Sequence, residues 1–275
     1  MEFFFDILKA IALGIVQGLT EFLPVSSTGH LIIVERFMRL SENATFVASF
    51  QIIIQLGSIL AVLFIFWKRL FPFGQGEEHC KRTMNLWLLV IIGVLPAVVL
   101  GFLFDDFIEE RLFNPIVVAA ALIFYGIILI FIEKFKNTQN PKITDANTIP
   151  VKIALAIGFF QCLAMVPGTS RSGATIIGAL ILGLSRKAAV EYSFFLAIPT
   201  IFGASFLRII KTSMNFSAFE IILIAVGFVV SFAVAWAVIK VFMDYISKKS
   251  FAVFGYYRVV LGIAVGILFG LGFFS

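Results

Sequence analysis

The chain has 275 residues, of which 61% are hydrophobic and 13% charged, and its formal net charge is +5. Water-soluble domains average about 45–50% apolar and about 25% charged residues, so this composition excludes an ordinary soluble fold and indicates a polytopic, all-α membrane protein. The positive charge is not gathered in a basic tract interleaved with aromatic residues. It therefore predicts contact with anionic membrane lipids and excludes nucleic acid as a partner.

The first apolar region, roughly residues 3–39, is interrupted by the polar stretch EFLPVSSTGH at 21–30. Proline ends a helix, and non-helical backbone is tolerated at membrane depth only where it lines a protein cavity. The region therefore predicts a re-entrant hairpin. One helix enters the bilayer, a polar loop containing Pro24 follows, and a second helix leaves on the same side.

This first loop and the helix end before it contain polar and ionisable residues that are unfavourable inside a bilayer. Gln17 and Glu21 are four residues apart, so on a helix they share a face that would point at the loop. A carboxylate inside a bilayer costs roughly 2.5–3.5 kcal/mol, which makes Glu21 a candidate functional residue; the alternative is an interfacial glutamate at a helix end. His30 is a second candidate, whereas the only other histidine, His79, lies in a charged loop and is expected to be solvated.

Six further apolar runs predict spanning helices. They cover roughly 44–66, 84–104, 114–132, 188–209, 218–242 and 253–274. Lysine and arginine favour cytoplasmic loops. Three connecting loops are rich in these residues and are predicted inside: 67–83, 133–152 and 243–252. The acidic segment 105–113 is predicted outside. Counting spans then places the first hairpin outside and makes the second open from the cytoplasm.

The second broken region, roughly 151–186, contains PGTSRSGAT at 167–175. A helix is predicted to start near Ser172, and helix N-termini bind anions through their unpaired N–H groups. The cation and the hydroxyls of this loop are groups that bind phosphate, namely Arg171, Thr169, Ser170, Ser172 and Thr175. The alternative is that Arg171 only forms a structural pair with Glu21, and the two interpretations are compatible.

The two broken regions resemble each other. QGLTEFLPVSSTG at 17–29 and QCLAMVPGTSRSG at 161–173 share Gln, Leu, Ser and Gly at equal offsets. The charge bias gives the two regions opposite orientations. We therefore predict one membrane domain, 1–275, with six transmembrane helices and two re-entrant hairpins in an inverted repeat. Its halves, approximately 1–133 and 150–275, are joined by a cytoplasmic loop, and in such architectures the broken segments meet near the midplane to form the site.

If the loops meet, the pocket combines a carboxylate, an amide, a histidine, an arginine and hydroxyls. Ser27 or His30 could be a nucleophile. A serine, a histidine and a carboxylate also suggest acyl transfer, but tetrahedral acyl intermediates are usually held by neutral donors. The positive charge of Arg171 favours phosphoryl transfer instead. Few carboxylates together with substrate phosphates suit magnesium.

Segments similar to EGLTEFLPVSSTGH and PGxSRSGxT, in this order and about 140 residues apart, are signatures of a known family. On these motifs the chain resembles the undecaprenyl-pyrophosphate phosphatase (bacitracin-resistance) family of bacterial inner membranes. FQIIIQLGSILAV at 50–62 and EYSFFLAIPT at 191–200 are also similar to it. The first motif position is often Glu in that family and is Gln17 here, which leaves Glu21 as the only anionic ligand of that motif.

The resemblance implies that the substrate is a polyprenyl diphosphate and that the products are the monophosphate carrier, recycled for peptidoglycan synthesis, and inorganic phosphate. It also implies bacitracin resistance, a divalent cation, commonly Mg²⁺, and a multi-pass protein of the bacterial cytoplasmic (inner) membrane with its site open to the periplasm. By motif, the family's functional positions fall on Gln17, Glu21, Ser26, Ser27, Thr28, His30, Ser170, Arg171, Ser172 and Thr175.

Our mechanistic hypothesis makes Glu21 the metal ligand or the base. Arg171, with Ser170, Ser172 and Thr175, clamps the diphosphate. Ser27 or His30 attacks the terminal phosphorus while the other assists proton transfer, and we favour Ser27 as the nucleophile.

Two other functions are open. A carrier that flips polyprenyl phosphate could use the same inverted-repeat site, whereas an ion channel ranks last because no charged pore-lining run is present. The resemblance also makes a homodimer plausible, although no sequence feature fixes it. Gly262, Gly266 and Gly270 form a small-residue stripe that could pack within one chain or between two.

Overall fold

The computed structural model describes residues 2–112, 114–135, 141–211 and 216–273. Within these residues the secondary structure is helical, apart from an isolated bridge between Ile143 and Leu184 and two 3₁₀ turns at Ala146–Thr148 and Leu163–Met165. The α-helices of this part are α1 Glu2–Thr20, α2 Ser27–Phe37, α3 Ala44–Ile65, α4 Trp67–Leu70, α5 Glu77–Leu112, α6 Pro115–Phe135, α7 Val151–Cys162, α8 Arg171–Ile181, α9 Arg186–Lys211, α10 Ala218–Lys248 and α11 Ala252–Gly270.

Seven helices of the described residues are long and apolar enough to cross a bilayer. They are Phe3–Thr20, Ala44–Ile65, Glu77–Phe104, Pro115–Phe135, Arg186–Arg208, Ala218–Lys248 and Ala252–Gly270. Six correspond to the predicted spans, so the all-α, multi-pass membrane architecture is confirmed. The seventh is α1, predicted as half of a hairpin. Its 19 residues extend about 28 Å, close to the hydrocarbon thickness of about 30 Å.

The prediction of a loop at 105–113 is wrong, because α5 continues as a helix to Leu112. Hydropathy marks only the apolar part of a helix, whereas the sequence DDFIEERL at 105–112 contains good helix formers that extend it beyond the bilayer. For the same reason α10 reaches Lys248 instead of ending near 242. Residue 113 of that loop, residues 136–140 of the predicted cytoplasmic loop and residue 274 of the last predicted span lie outside the described residues.

Small residues let the helices approach closely. A Cβ added at Gly18 of α1 would lie 2.7 Å from the carbonyl oxygen of Ser231 in α10, so these two backbones are in direct contact. A Cβ at Gly262 of α11 would lie 2.9 Å from the carbonyl oxygen of Ala119 in α6. Glycine at such positions permits tight packing without hydrophobic driving force between helices. Gly262 therefore serves packing within the chain.

An ionic network ties α4, which follows α3, to α9 on the predicted cytoplasmic side. Arg69 pairs with Glu191 at 2.6 Å and with Asp145 at 3.3 Å, and Arg82 pairs with Asp145 at 3.1 Å. Burial opposes the ionisation of Asp145, but hydrogen bonds from Asn147 and the charges of Arg69 and Arg82 outweigh it and hold the pKa of Asp145 below its ordinary value. The network therefore holds α4, α5 and the segment around Asp145 against the start of α9 at this end of the bundle.

Replacing Arg69 should destabilise the fold, because Glu191 would remain buried without its cation. We expect Arg69→Met to lower the free energy of unfolding by about 3 kcal/mol, the lower end for a broken buried pair, since the Arg69 side chain is 32% exposed. Thermal unfolding in detergent measures this. Lys81→Met is the control, since it breaks the exposed Lys81–Glu77 pair and should change nothing measurable. An Arg69→Met protein as stable as wild type would contradict the expectation.

Candidate active site

The two polar loops meet at a buried ion pair. Arg171 at the start of α8 donates from Nη2 to Glu21 Oε1 at 3.0 Å, and the two residues are 150 positions apart. Their side chains are 13% and 3% exposed. The other terminal nitrogen of Arg171 donates to the carbonyl oxygen of Ser193 at 3.0 Å. Burying either charge alone would cost several kcal/mol of desolvation free energy, and the pairing of the carboxylate with the guanidinium at the junction of the loops offsets this cost.

Glu21 collects three more hydrogen bonds on its second oxygen. Gln17 Nε2 and Ser27 Oγ donate to Oε2 at 2.9 Å each, and Gln55 Nε2 of α3 donates at 3.4 Å. The predicted pairing of Gln17 and Glu21 on one face is thus present, although α1 itself ends at Thr20. The Ser27 hydroxyl points its proton at a carboxylate, which is the arrangement that activates a serine.

The two loops use the same local geometry to start a helix. Ser26 and Ser170 both have φ of 72°, in the left-handed region that non-glycine residues rarely adopt. Each side chain accepts a hydrogen bond from the backbone N–H three residues on, at Gly29 for α2 and at Gly173 for α8. Both 11-residue helices therefore begin at this junction, and their positive dipole ends add to its charge.

A cavity of about 380 Å³ opens beside the junction. It reaches Gln17, Ser27 and Gln55, three of the four residues that donate to Glu21, and it is also lined by Thr28. Its remaining walls include apolar side chains of α2 and α3, so a polar head group and an apolar chain could both contact it.

The hydroxyls predicted to clamp a ligand from the second loop are engaged with the protein. Ser172 Oγ donates to the carbonyl oxygen of Leu23 at 2.9 Å, which joins the second loop to the first. Thr175 Oγ1 donates to the carbonyl oxygen of Arg171 at 3.0 Å and lies 2.7 Å from Ser193 Oγ. Ser172 and Thr175 are fully buried. In this structure they hold the loop in shape.

His30 lies on a different face of α2 from the cavity. Positions 27, 28, 31, 32 and 35 line the cavity, and position 30 projects away from that face. Nδ1 of His30 is 2.7 Å from the carbonyl oxygen of Ser26, which only accepts, so Nδ1 carries the proton. In the neutral ring Nε2 then accepts from the Tyr257 hydroxyl at 2.6 Å. The proton partner of Ser27 is thus Glu21.

Sequence reasoning missed Arg258. This residue of α11 is 1% exposed and donates to carbonyl oxygens of both loops: from Nη1 to Pro24 at 3.2 Å, and from Nη2 to Gly168 at 2.9 Å and Thr169 at 2.8 Å. The available signal was a charged residue inside a predicted span, which marks a functional or structural site by default. Arg258 fixes the two non-helical segments relative to each other.

The oxygen donors at the cavity suit a hard divalent cation. Among the described residues no group of three or more His, Cys, Asp or Glu side chains could hold a metal ion. Magnesium, however, is commonly bound by one or two carboxylates together with substrate phosphates. Glu35, Gln51 and Ser27 supply carboxylate, amide and hydroxyl oxygens to the lining, and the Glu21 carboxylate is reached through the Ser27 hydroxyl at 2.9 Å. The donor set therefore fits a cation that binds together with a phosphorylated ligand.

Replacing the guanidinium of Arg258 by an ammonium group should weaken the contact between the two loops. Arg258→Lys keeps the charge, but a single ammonium cannot reproduce the planar set of bonds to three carbonyl oxygens of the loops and to that of Ala121 in α6. We expect the free energy of unfolding to fall by about 2 kcal/mol, since at least one buried acceptor loses its donor. Thermal unfolding in detergent is the measurement, and Arg39→Lys at an exposed position is the control. Equal stability of Arg258→Lys and wild type would refute this role.

Comparisons with known proteins agree over nearly the whole chain. Residues 10–264 match the family described as "Bacitracin resistance protein BacA". The chain is 55% identical over 262 residues to "Undecaprenyl-diphosphatase 1" of Clostridioides difficile (strain 630), which covers 94% of this chain and 95% of the relative. It is 49% identical over 275 residues to "Undecaprenyl-diphosphatase 1" of Oenococcus oeni (strain ATCC BAA-331 / PSU-1), covering 98% and 99%. It is also 46% identical over 266 residues to "Undecaprenyl-diphosphatase" of Enterococcus faecalis, covering 95% and 96%.

Proposed function

The chain belongs to the BacA family of bacitracin resistance proteins, and from this premise we propose that it is an undecaprenyl-diphosphatase of the membrane. It hydrolyses the terminal phosphoanhydride bond of undecaprenyl diphosphate and yields undecaprenyl phosphate and inorganic phosphate. The monophosphate is the lipid carrier that peptidoglycan synthesis uses again. Removing the diphosphate form is the basis of the bacitracin resistance for which the family is named.

The observation that carries the proposal is the Glu21–Arg171 junction with Ser27 beside it. Ser27 Oγ donates to Glu21 Oε2 at 2.9 Å and lines the cavity. We assign Ser27 as the nucleophile and Glu21 as its base. A bond forms between Ser27 Oγ and the terminal phosphorus, the bond from that phosphorus to the bridging oxygen breaks, and the serine proton passes to Glu21. Water then attacks the phosphoserine phosphorus and the bond from that phosphorus to Ser27 Oγ breaks. One proton of the water passes to Ser27 Oγ, the other leaves with hydrogen phosphate, and Glu21 releases the proton it took from Ser27 to solvent.

Positive charge around the transferred group comes from Arg171 and the start of α2. A phosphoryl transition state spreads its charge over three equatorial oxygens, so a guanidinium and a helix N-terminus at the same place stabilise it. Gln17 and Thr28 line the cavity and are proposed to contact the phosphates. For Ser26, Ser170, Ser172 and Thr175 we propose a positioning role, because their hydroxyls are bonded to backbone or to neighbouring hydroxyls. His30 is proposed to hold the first loop through Ser26.

A divalent cation, with Mg²⁺ suited to the oxygen donors, completes the proposed site. When bound it would neutralise part of the charge of the diphosphate and thereby favour departure of the monophosphate. The carboxylates that could hold it are Glu21 and Glu35, with substrate phosphates as further ligands. Glu21 already accepts the hydrogen bond of the Ser27 hydroxyl, so a role as the base requires no new contact.

The proposal includes a topology. Two observations support an inverted repeat of halves near 1–133 and 150–275. The helices after the two loops, α2 and α8, have the same length of 11 residues, too short to span, and their Ser26 and Ser170 caps share the same φ of 72°. The Lys/Arg bias of the loops supports a cytoplasmic membrane location with the cavity open to the periplasmic side. The two polar loops are then the turns of re-entrant hairpins.

One observation favours a second function, movement of the polyprenyl phosphate across the membrane. Besides the cavity near Gln51 and Gln55 of α3, a second cavity of about 340 Å³ lies beyond the other end of that helix, at Arg69 and Glu191. Access from two sides is a property of carriers. A protein that only transports would release no phosphate.

Phosphate release in detergent tests the proposed function. Wild type with a long-chain polyprenyl diphosphate and Mg²⁺ should release phosphate, and excess EDTA should abolish release. Ser27→Ala and Arg171→Ala should each lower the rate about a thousandfold or more, because one removes the nucleophile and the other the charge facing the phosphoryl group.

Ser49→Ala is the matched control for Ser27→Ala. Ser49 is a buried serine whose hydroxyl bonds only within its own helix, so its loss should leave the rate unchanged. Release by Ser27→Ala at the wild-type rate would exclude Ser27 as nucleophile. A folded wild-type protein that releases no phosphate would refute the phosphatase and favour the carrier.

A further inference from the structure

Glu35 is a carboxylate at the cavity that the mechanism above names beside Glu21 as able to hold the cation, without deciding between the two. It lies on α2, eight residues after Ser27, and lines the cavity together with Ser27 and Thr28. Residues seven or eight apart on a helix share a face, so α2 presents Ser27 and Glu35 to the same space about two turns apart. A charged side chain on a short helix in a membrane protein is a candidate functional group.

Two glutamines of α3 each donate a hydrogen bond to one of the two carboxylates. Gln51 Nε2 donates to Glu35 Oε1, and Gln55 Nε2 donates to Glu21 Oε2. Gln51 and Gln55 are four residues apart, which corresponds to a rise of about 6 Å, so the two hydrogen bonds lie about one helical turn apart. Each glutamine that donates through its amide nitrogen keeps a carbonyl oxygen. One wall of the cavity therefore carries the Glu35 carboxylate and the amide groups of Gln51 and Gln55.

The two carboxylates differ in how many donors they already have. Glu21 accepts from Gln17, Ser27, Gln55 and Arg171. For Glu35 the described residues supply one donor, Gln51. An ionised carboxylate offers about four lone-pair sites. Glu35 thus retains the capacity to bind a cation, whereas Glu21 would have to exchange a hydrogen bond for each new ligand.

The charges at the cavity favour such a cation. Arg208 supplies one positive charge to the lining, but a diphosphate that reaches Ser27 must still share the cavity with Glu35, and like charges in a space of low dielectric repel strongly. A divalent cation between them converts this repulsion into attraction. Mg²⁺ is suited to the position, because it accepts carboxylate and amide oxygens while retaining sites for phosphate oxygens.

We propose that Glu35, with the amide oxygen of Gln51, is the protein ligand set for a divalent cation at the cavity, where the cation meets the diphosphate. The assignment rests on the proposed function only for the phosphate ligands that complete the coordination. It moves the cation from Glu21 to Glu35 and leaves Glu21 to accept the proton of Ser27.

Binding of Mn²⁺ to the purified protein in detergent tests the assignment without turnover. Free Mn²⁺ is titrated by electron paramagnetic resonance, first alone and then with methylenediphosphonate, a diphosphate analogue that cannot be hydrolysed. We expect Glu35→Gln to weaken Mn²⁺ binding at least about tenfold in both titrations, since a ligand is lost. Glu42→Gln, at an exposed carboxylate, should bind as wild type does.

Two further variants keep the test decisive. Glu35→Asp retains the charge and should bind Mn²⁺ more tightly than Glu35→Gln, a difference that a merely structural role of Glu35 would not produce. Glu21→Gln should bind Mn²⁺ within about threefold of wild type, because Glu21 is assigned no part in the cation site. Mn²⁺ binding by Glu35→Gln equal to wild type would overturn the proposal, and so would a tenfold loss in Glu21→Gln alone.

Turnover separates this inference from the proposed function. In phosphate release, Glu35→Gln should raise the Mg²⁺ concentration needed for half-maximal rate at least about tenfold. Wild type that binds Mn²⁺ through Glu35 but releases no phosphate would refute the phosphatase and keep the cation site. Phosphate release by Glu35→Gln with the wild-type Mg²⁺ dependence would refute the cation site and keep the phosphatase.

Discussion

The buried ion pair between Glu21 and Arg171 is the contact on which the rest of the site depends. Each charge is supplied by a different polar loop, and each loop interrupts helices inside an apolar bundle. Neither charge is tolerable there alone, because desolvating an ion costs several kcal/mol. Their pairing offsets this cost when the loops are together. The contact that joins the two loops is therefore also the centre of the candidate site.

The surrounding bonds convert this pair into a rigid site. Arg258 donates to carbonyl oxygens of both loops, and Ser172 of the second loop donates to Leu23 of the first. Ser26 and Ser170 hold strained left-handed backbone at the two helix starts by capping them. Strain of this kind is kept where the neighbouring structure over-determines it, typically at functional sites. The polar groups that satisfy the broken backbone are thus those that aim Ser27 at Glu21.

The sequence predicted the parts of the site that depend on local chemistry. Pro24 and Pro167 with small polar residues indicated broken helices, and an acid in one loop with a base in the other predicted the Glu21–Arg171 contact. Helix ends such as those of α5 were missed because hydropathy reports the apolar stretch and not helix propensity beyond it. The direction of His30 was not predictable, since it follows from the rotation of α2 against its neighbours. Arg258 carried a sequence signal, a charge inside a predicted span, but its partners depend on tertiary contacts, as do the positions of Glu35 and Gln51 at the cavity.

The most direct test of the central claim, that the junction makes Ser27 the nucleophile, is to trap the phosphorylated protein. The protein is mixed with a polyprenyl diphosphate carrying a labelled terminal phosphate and is quenched within milliseconds to seconds. We expect label on Ser27 that survives acid and is lost in alkali, and no label in Ser27→Ala. Label that survives alkali and is lost in acid, located on His30, would contradict the assignment of the nucleophile and of Glu21 as its base.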